Sequence, residues 1–346
     1  MTGLLKPFER WGRRNLSGFL RVMLAGRRPT SVLPEDPSSV LVVRTDSRLG
    51  NLVLLEPLLR SLSERFPGCS VQLLASDAFS AVLSRHASLA RIWAAPKKSF
   101  ISGPHRLLAF FRSLRREGFD VAVDASHPGG FSLSGAVAVT LSGARHRIGW
   151  SNPGSRGWFD SLVELPPGSG RDLHESAVLH HLGSLWSGWP AWSRPSLAPP
   201  RHRDPRSRRP LIGLHVGARR DKGYPVERMS ELAGLLRKLG EVRLLWGTQR
   251  ERELAVSLSA RESLPRAPGL EELSRELSSL DLYITPDNGT MHLASALGIP
   301  VIGLFAVEGS SIRFAPLSPG SVGLYARGGP EPEEVAARAR AILGGP

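Results

Sequence analysis

The sequence predicts an α/β protein built as two Rossmann-like halves with a cleft between them. Three observations carry this. Short apolar, β-branched runs alternate with amphipathic helical patterns through most of the 346 residues, the signature of parallel strands joined by crossover helices. A Pro-, Arg- and Trp-rich stretch at 189–210 interrupts the alternation once, with a composition that suits a linker. The length is that of about two ordinary domains.

In the first half the run 39–44 (SVLVVR) suits a buried parallel strand. The stripe Leu52, Leu55, Leu58, Leu59 and Leu62 then predicts a helix that Pro57 should kink. Further strands are expected at 71–75, 91–94, 120–124 and 146–149, with a helix at 104–117 among them. In the second half the pattern predicts strand 211–215, helix 226–239, strand 242–246, helix 250–259 and helix 270–280. A closing helix is expected at 331–343, its Pro-Glu-Pro-Glu-Glu start suiting a helix N-terminus. The expected division is therefore 1–34 as an N-terminal segment, 35–188 as the first domain, 189–210 as linker and 211–346 as the second domain. The closing helix packing back on the first domain is the alternative placement.

Bulk properties narrow the class. No window approaches the roughly 18 apolar residues of a membrane span. The single Cys69 cannot form an internal disulfide, which fits a reducing compartment. A formal charge of +14 favours anionic partners such as nucleotides, acidic lipid head groups or nucleic acid, with biased codon usage towards Arg as the bland competing cause. No nucleic-acid-binding module is recognisable, so nucleic acid is not expected as a partner. In 1–34, Leu4, Leu5, Phe8, Trp11, Leu16, Phe19, Leu20, Met23 and Leu24 recur at helical spacing among seven Lys and Arg residues, Lys6 to Arg28. That pattern suits a helix lying on an anionic membrane, or one packed on the protein's own surface.

The densest functional signal is 281–305, DLYITPDNGTMHLASALGIPVIGLF: buried strand, polar turn, small-residue helix, buried strand. The order places Asp287, Asn288, Gly289 and His292 at the carboxyl end of a sheet, where backbone N–H groups and the helix dipole favour phosphorylated ligands. Asp287 and Asn288 could equally cap the helix, and His292 could be structural. Three other clusters fall at strand ends or in the loops after them. His215 and Gly217 follow the first strand of this half, Lys222 stands in the next loop, and Glu251 follows Trp246-Gly247 after the second strand. Lysine there could neutralise a phosphate, and Glu251 could accept bonds from a ribose diol or simply open its helix. Neither half carries a G-x-G-x-x-G turn after its first strand, which counts against an NAD enzyme.

Together these residues resemble glycosyltransferase family 9, the lipopolysaccharide heptosyltransferase family. Asp287-Asn288-Gly289-Thr290-Met291-His292-Leu293-Ala294-Ser295-Ala296-Leu297-Gly298-Ile299-Pro300 is similar to its D-[ST]-G-x-x-H-L-A-A-A-L-G-x-P signature. His215-Val216-Gly217-Ala218 with Lys222-Gly223-Tyr224-Pro225 resembles H-P-G-A…K-x-W-P, and Trp246-Gly247 with Glu251 resembles W-G-x-x-x-E. Arg44 to Pro57 is similar to the R-x-D-x-x-G-D…P loop. The resemblance implies a GT-B fold and an inverting transfer of heptose from an ADP-activated donor to a lipid-linked acceptor, with no cofactor beyond the ADP-sugar co-substrate. By motif, Lys222 would neutralise the diphosphate and Glu251 hold the ribose. Asp287, Asn288 and Gly289 would contact phosphates and sugar, and the amides of Thr290 and Met291 would complete the anion site. No D-x-D motif is present, so a metal is not implied.

The sequence departs from the family where chemistry is expected. The Asp of the Gly-Asp pair, the family's base, is replaced in Gly50-Asn51, and an amide cannot take up a proton near neutral pH. Asp46, on the same loop, is the preferred substitute, with bracing of the loop as its structural alternative. Glu56 and Asp124 rank below it. The residues 306–310 replace the family's G-P-T-x-P, which leaves the sugar or nucleotide open. Acceptor recognition is expected from 129–134 and 150–158. The implied setting is a monomer in the cytoplasm, peripheral on the inner membrane face, acting on an anionic lipid-linked glycan. A silent member that binds without transfer is the alternative.

Overall fold

The computed structural model describes residues 32–84, 86–95, 104–197, 209–217, 224–258 and 269–344. The expected N-terminal segment, apart from residues 32–34, lies outside these. So do Lys222 and residues 198–208 of the expected linker.

The first domain orders as β1 Ser39–Arg44, α1 Leu49–Val53, α2 Glu56–Arg65, β2 Ser70–Ser76, β3 Arg91–Ala95, α3 Pro104–Arg116, β4 Val121–Asp124, α4 Leu133–Leu141, β5 His146–Trp150, β6 Ser161–Val163 and α5 Glu175–His180. Its six strands pair in parallel in the order β3-β2-β1-β4-β5-β6. The second domain orders as β7 Leu211–His215, α6 Val226–Arg237, β8 Glu241–Leu245, α7 Gln249–Leu258, α8 Leu270–Ser278, β9 Leu282–Pro286, α9 Gly289–Ala296, β10 Val301–Phe305, α10 Ser310–Arg313, β11 Val322–Tyr325 and α11 Pro332–Leu343. Its five strands pair in parallel as β11-β10-β9-β7-β8. This is the GT-B arrangement of two parallel-sheet α/β domains.

In both sheets the strand order reverses at an inner position, between β1 and β4 and between β7 and β9. Loops leaving such adjacent strands diverge and open a crevice at their carboxyl ends. Central strands are buried on both faces, β1 reading VLVVR and β10 VIGLF without a polar alternation, as sheets covered by helices on both sides require.

Pro57 does not kink a single helix. The chain breaks at Leu54-Leu55 into α1 and α2, and Pro57 stands in the first turn of α2, where its missing N–H costs nothing. The closing helix α11 packs on α6 and lends Val335 and Ala339 to the second domain's core. Among the described residues its main packing is within the second domain. The start of the expected linker belongs to the first domain: Trp189 stacks on Trp186 at 5.9 Å and packs against its core. Residues 193–197 then run between the domains, with Ser196 N–H donating to Glu56 at 3.0 Å and Leu197 N–H to the Ala296 carbonyl at 2.9 Å.

One core cluster crosses the domain boundary. Leu49 and Val53 of α1 pack with Met291, Leu293 and Leu297 of α9 and its C-cap. Where α1 and α9 meet, a Cβ on Gly50 would lie 2.6 Å from the His292 ring and 3.3 Å from Gly289 Cα. A Cβ on Gly289 would lie 3.0 Å from Gly50 N. Only glycine at both positions lets the two helix starts touch this closely.

Candidate active site

The second domain brings its strand-end residues together around Gly217. His215 is buried, and its Nδ1 accepts the Gly217 N–H at 3.1 Å. Burial holds its pKa below the usual imidazole value, against the raising effect of Glu251. The ring is therefore neutral, with its proton on Nε2. The Glu251 carboxyl lies over Gly217, where any Cβ would come within 2.2 Å of it. Glu251 Oε2 accepts from Gly247 N at 2.7 Å and Thr248 N at 2.9 Å, and Thr248 Oγ1 accepts from Glu251 N at 3.3 Å. This reciprocal pattern caps α7. It also fixes the carboxyl beside the β7 loop, in reach of a ligand lying on Gly217.

Asn288 ties the same region to α9. Its Nδ2 donates to the Gly217 carbonyl at 3.2 Å and to Thr285 Oγ1 at 2.9 Å. Its Oδ1 accepts from Thr290 N at 3.0 Å, Thr290 Oγ1 at 2.7 Å and Met291 N at 3.2 Å. The capping alternative is thus realised at Asn288, and the two amides expected to complete an anion site already have a partner. An anion would have to share them. Buried Tyr283 extends the chain, its hydroxyl 2.6 Å from Thr290 Oγ1, with burial pushing the phenol well up. Asp287 continues β9, its N–H donating to the Leu304 carbonyl at 3.2 Å, and stands at the mouth of the same turn.

The first domain presents the loop after β1. Arg44 is buried, 1% exposed, and its guanidinium bonds both the Ala125 carbonyl after β4 and Oδ2 of Asp46. Asn51 Nδ2 donates to the other oxygen, Oδ1, at 2.9 Å. Asp46 stays about a third exposed, 33%. Glu56 and Asp124 are sequestered. Glu56 is 1% exposed and bonds Arg60, His86 and Ser196 N. Asp124 lies beneath the start of α4, where burial pushes its carboxyl up to about 6 against the bonds from Ser126 and the charge of Arg44.

Several residues at the domain junction carried no signal strong enough to be singled out. Arg313 of α10 reaches across to the first domain, its Nε bonding Glu175 Oε2 at 2.8 Å and its Nη2 lying 2.8 Å from His127 Nε2. Glu175 is buried, 4% exposed as a side chain. Gly129 N also donates to His127, at Nδ1, 2.9 Å away. A neutral imidazole accepts at one nitrogen only, so Arg313 and Gly129 compete for it. Burial, with Arg313, Arg44 and Arg48 adding to it and Glu175 opposing, holds the His127 pKa down. His174 bonds the Ala315 carbonyl at 3.0 Å across the same junction, and burial, reinforced by His292, brings it down to about 4. His292 itself is buried and sits edge-on to Phe314, with ring centroids 6.2 Å apart. The His-Pro-Gly-Gly turn after β4 was the one local cue to His127, since glycine-rich turns at strand ends mark the crevice.

Among the described residues no group of three or more His, Cys, Asp or Glu side chains could hold a metal ion, and no helix is long and apolar enough to cross a membrane.

The twin α/β architecture, with polar clusters on both sides of the domain junction, is the GT-B fold. The sequence model described as glycosyltransferase family 9 (heptosyltransferase) matches residues 189–338. The chain is 27% identical to lipopolysaccharide heptosyltransferase 1 of Escherichia coli K12 over 83% of its length and 91% of that protein's. It is 26% identical to the enzyme of the same name from Salmonella typhimurium, over 83% and 92%. Among solved structures, an E. coli heptosyltransferase with ADP superposes with a TM-score of 0.70 at 20% identity, covering 87% of this chain and 97% of that one. A family 9 glycosyltransferase from Veillonella parvula does so with a TM-score of 0.72 at 16% identity, covering 88% and 97%. These matches bear out the resemblance to glycosyltransferase family 9 read from the motifs.

Proposed function

We propose that this chain moves heptose, or a related sugar, from an ADP-activated donor onto lipopolysaccharide core or another lipid-linked glycan, inverting the anomeric carbon. One observation carries the reading: the Gly50–Gly289 contact sets the Asp46 loop of the first domain beside the start of α9, where the donor cluster of the second domain lies. The names of the curated relatives support the transfer, and a solved E. coli neighbour was captured with ADP-2-deoxy-2-fluoro heptose.

In this reading the donor lies over Gly217, with Glu251 on the ribose and Asp287, Asn288 and Gly289 by the phosphates and sugar. His215 and His292 back that cluster. Thr290 and Met291 amides share their donors between Asn288 and a phosphate, and Lys222, outside the described residues, meets the diphosphate. The acceptor hydroxyl attacks the anomeric carbon from the first-domain side and gives its proton to Asp46. The bond from that carbon to the diphosphate oxygen breaks, and its electron pair leaves with ADP. Arg48 and Arg313 set positive charge beside His127 on the acceptor side, suited to an anionic glycan. The enzyme works peripherally on the inner membrane face, and no metal or further cofactor enters.

The test offers purified protein ADP-heptose, UDP-sugars and GDP-sugars with a lipopolysaccharide-core acceptor, reading released nucleoside diphosphate and acceptor mass. ADP release coupled to a heptose mass gain supports the proposal. Thermal stabilisation by ADP-heptose with no product would favour a silent binder, the reading motivated by Asn51.

A further inference from the structure

We propose that Asn51 and Arg44 are positioning residues that hold Asp46 as the proton acceptor, so that the amide at 51 serves a base displaced five residues upstream. The inference rests on the reading of Asp46 as the base.

Three features of the loop carry it. The two oxygens of Asp46 are engaged by different donors from different elements: Asn51 of α1 on Oδ1 at 2.9 Å, and Arg44 of β1 on Oδ2. Neither donor is free to drift. Arg44 is buried and anchored to the Ala125 carbonyl, and Asn51 follows Gly50, which is pressed against Gly289 and His292. The Asp46 carboxylate is nonetheless a third exposed, 33%, so its remaining lone pairs stay open to a hydroxyl. Fixed rotamers and open lone pairs together are what an oriented base requires.

In this loop the amide at 51 complements the carboxylate at 46. An aspartate there would set a carboxylate oxygen 2.9 Å from Oδ1 of Asp46, and two carboxylates so close share one proton. Arg44 also acts on Asp124 and on His127 at the end of β4, and Arg48 of the same loop acts on His127. Restoring the family's acid at 51 is therefore expected to harm the enzyme.

The experiment compares kcat against pH for the full chain and for Asn51→Asp, Asn51→Ala, Asp46→Asn and Asp46→Asn/Asn51→Asp, using ADP-heptose and checking ADP affinity as a measure of folding. Asn51→Asp is expected to lose about 10-fold or more in kcat at neutral pH, with its acid limb moved to higher pH and the donor KM unchanged. Asn51→Ala should lose less and shift less. The double variant, in which acid and amide exchange places, should regain part of what Asp46→Asn loses. Asn51→Asp and Asn51→Ala both active with the parent's pH profile would overturn the positioning role alone. An Asn51→Asp variant more active than the parent would do the same, by placing the base at 51. Full activity in Asp46→Asn would remove the base reading itself, whatever the residue at 51 does.

Discussion

Adding one methyl group at Gly50 should slow turnover by more than it weakens nucleotide binding. In Gly50→Ala the new Cβ lies 2.6 Å from His292 Cδ2 and 3.3 Å from Gly289 Cα. The imidazole would have to retreat by most of an ångström. It is buried, edge-on to Phe314, and the cavity it lines with Val53, Leu54, His174 and Ser295 holds only about 10 Å³. With no room for the ring, α1 and α9 must part. Overpacking of this kind costs about 1–3 kcal/mol, which is roughly a 5- to 150-fold loss in the population of the closed arrangement. With the proposed donor cluster within the second domain, ADP affinity by calorimetry should fall less than single-turnover sugar transfer, which drops by about that 5- to 150-fold factor. Gly289→Ala, whose Cβ meets Gly50 N at 3.0 Å and Leu49 Cβ at 3.1 Å, should act in the same direction and more mildly. Transfer at the parent rate in Gly50→Ala would refute the idea that the reaction needs these helix starts in contact.

The interdomain ion pair is predicted to matter through what its loss leaves behind. Arg313→Met strands the buried Glu175 carboxylate and should cost about 3 kcal/mol, whereas Arg313→Met/Glu175→Gln should recover most of it in a denaturation cycle. Additive losses would contradict the pairing. Acid should destabilise the fold through His174. Its folded pKa, about 4, lies below the usual imidazole value of 6.5, so the unfolded chain binds the extra proton in that window. The stabilisation is complete above pH 6.5 and is lost as the pH falls from there to 4, by up to about 3 kcal/mol. His174→Gln, which keeps a donor for the Ala315 carbonyl, should flatten the slope in that range; an unaltered slope would assign it elsewhere.

How much of this was legible in the sequence follows from which interactions are local. Strands β1, β7, β9 and β10 announce themselves because a strand covered on both faces must be apolar throughout. The edge strands β6 (SLV) and β11 (VGLY) are too short and mixed for such a pattern. Helix α4, LSGAVAVTL, lacks an amphipathic stripe because half-buried small residues surround it. At the site, Asn288 could be read as a cap because capping spans three residues. The Arg44–Asp46–Asn51 grouping depends on how a loop folds, which spacing along the chain does not reveal. Arg313 and Glu175 meet 138 positions apart, and nothing in either neighbourhood points to the other.

The core that α1 shares with α9 also bears on how the chain is made. Leu49 and Val53 leave the ribosome roughly 240 residues ahead of their partners on α9, which at ~5–20 residues per second means tens of seconds. During that interval the first domain displays an apolar face that its own strands do not cover. A fragment ending before β7 would keep that face exposed permanently. The first domain should therefore be hard to obtain alone as a soluble fragment, and its partner domain acts as its last folding step.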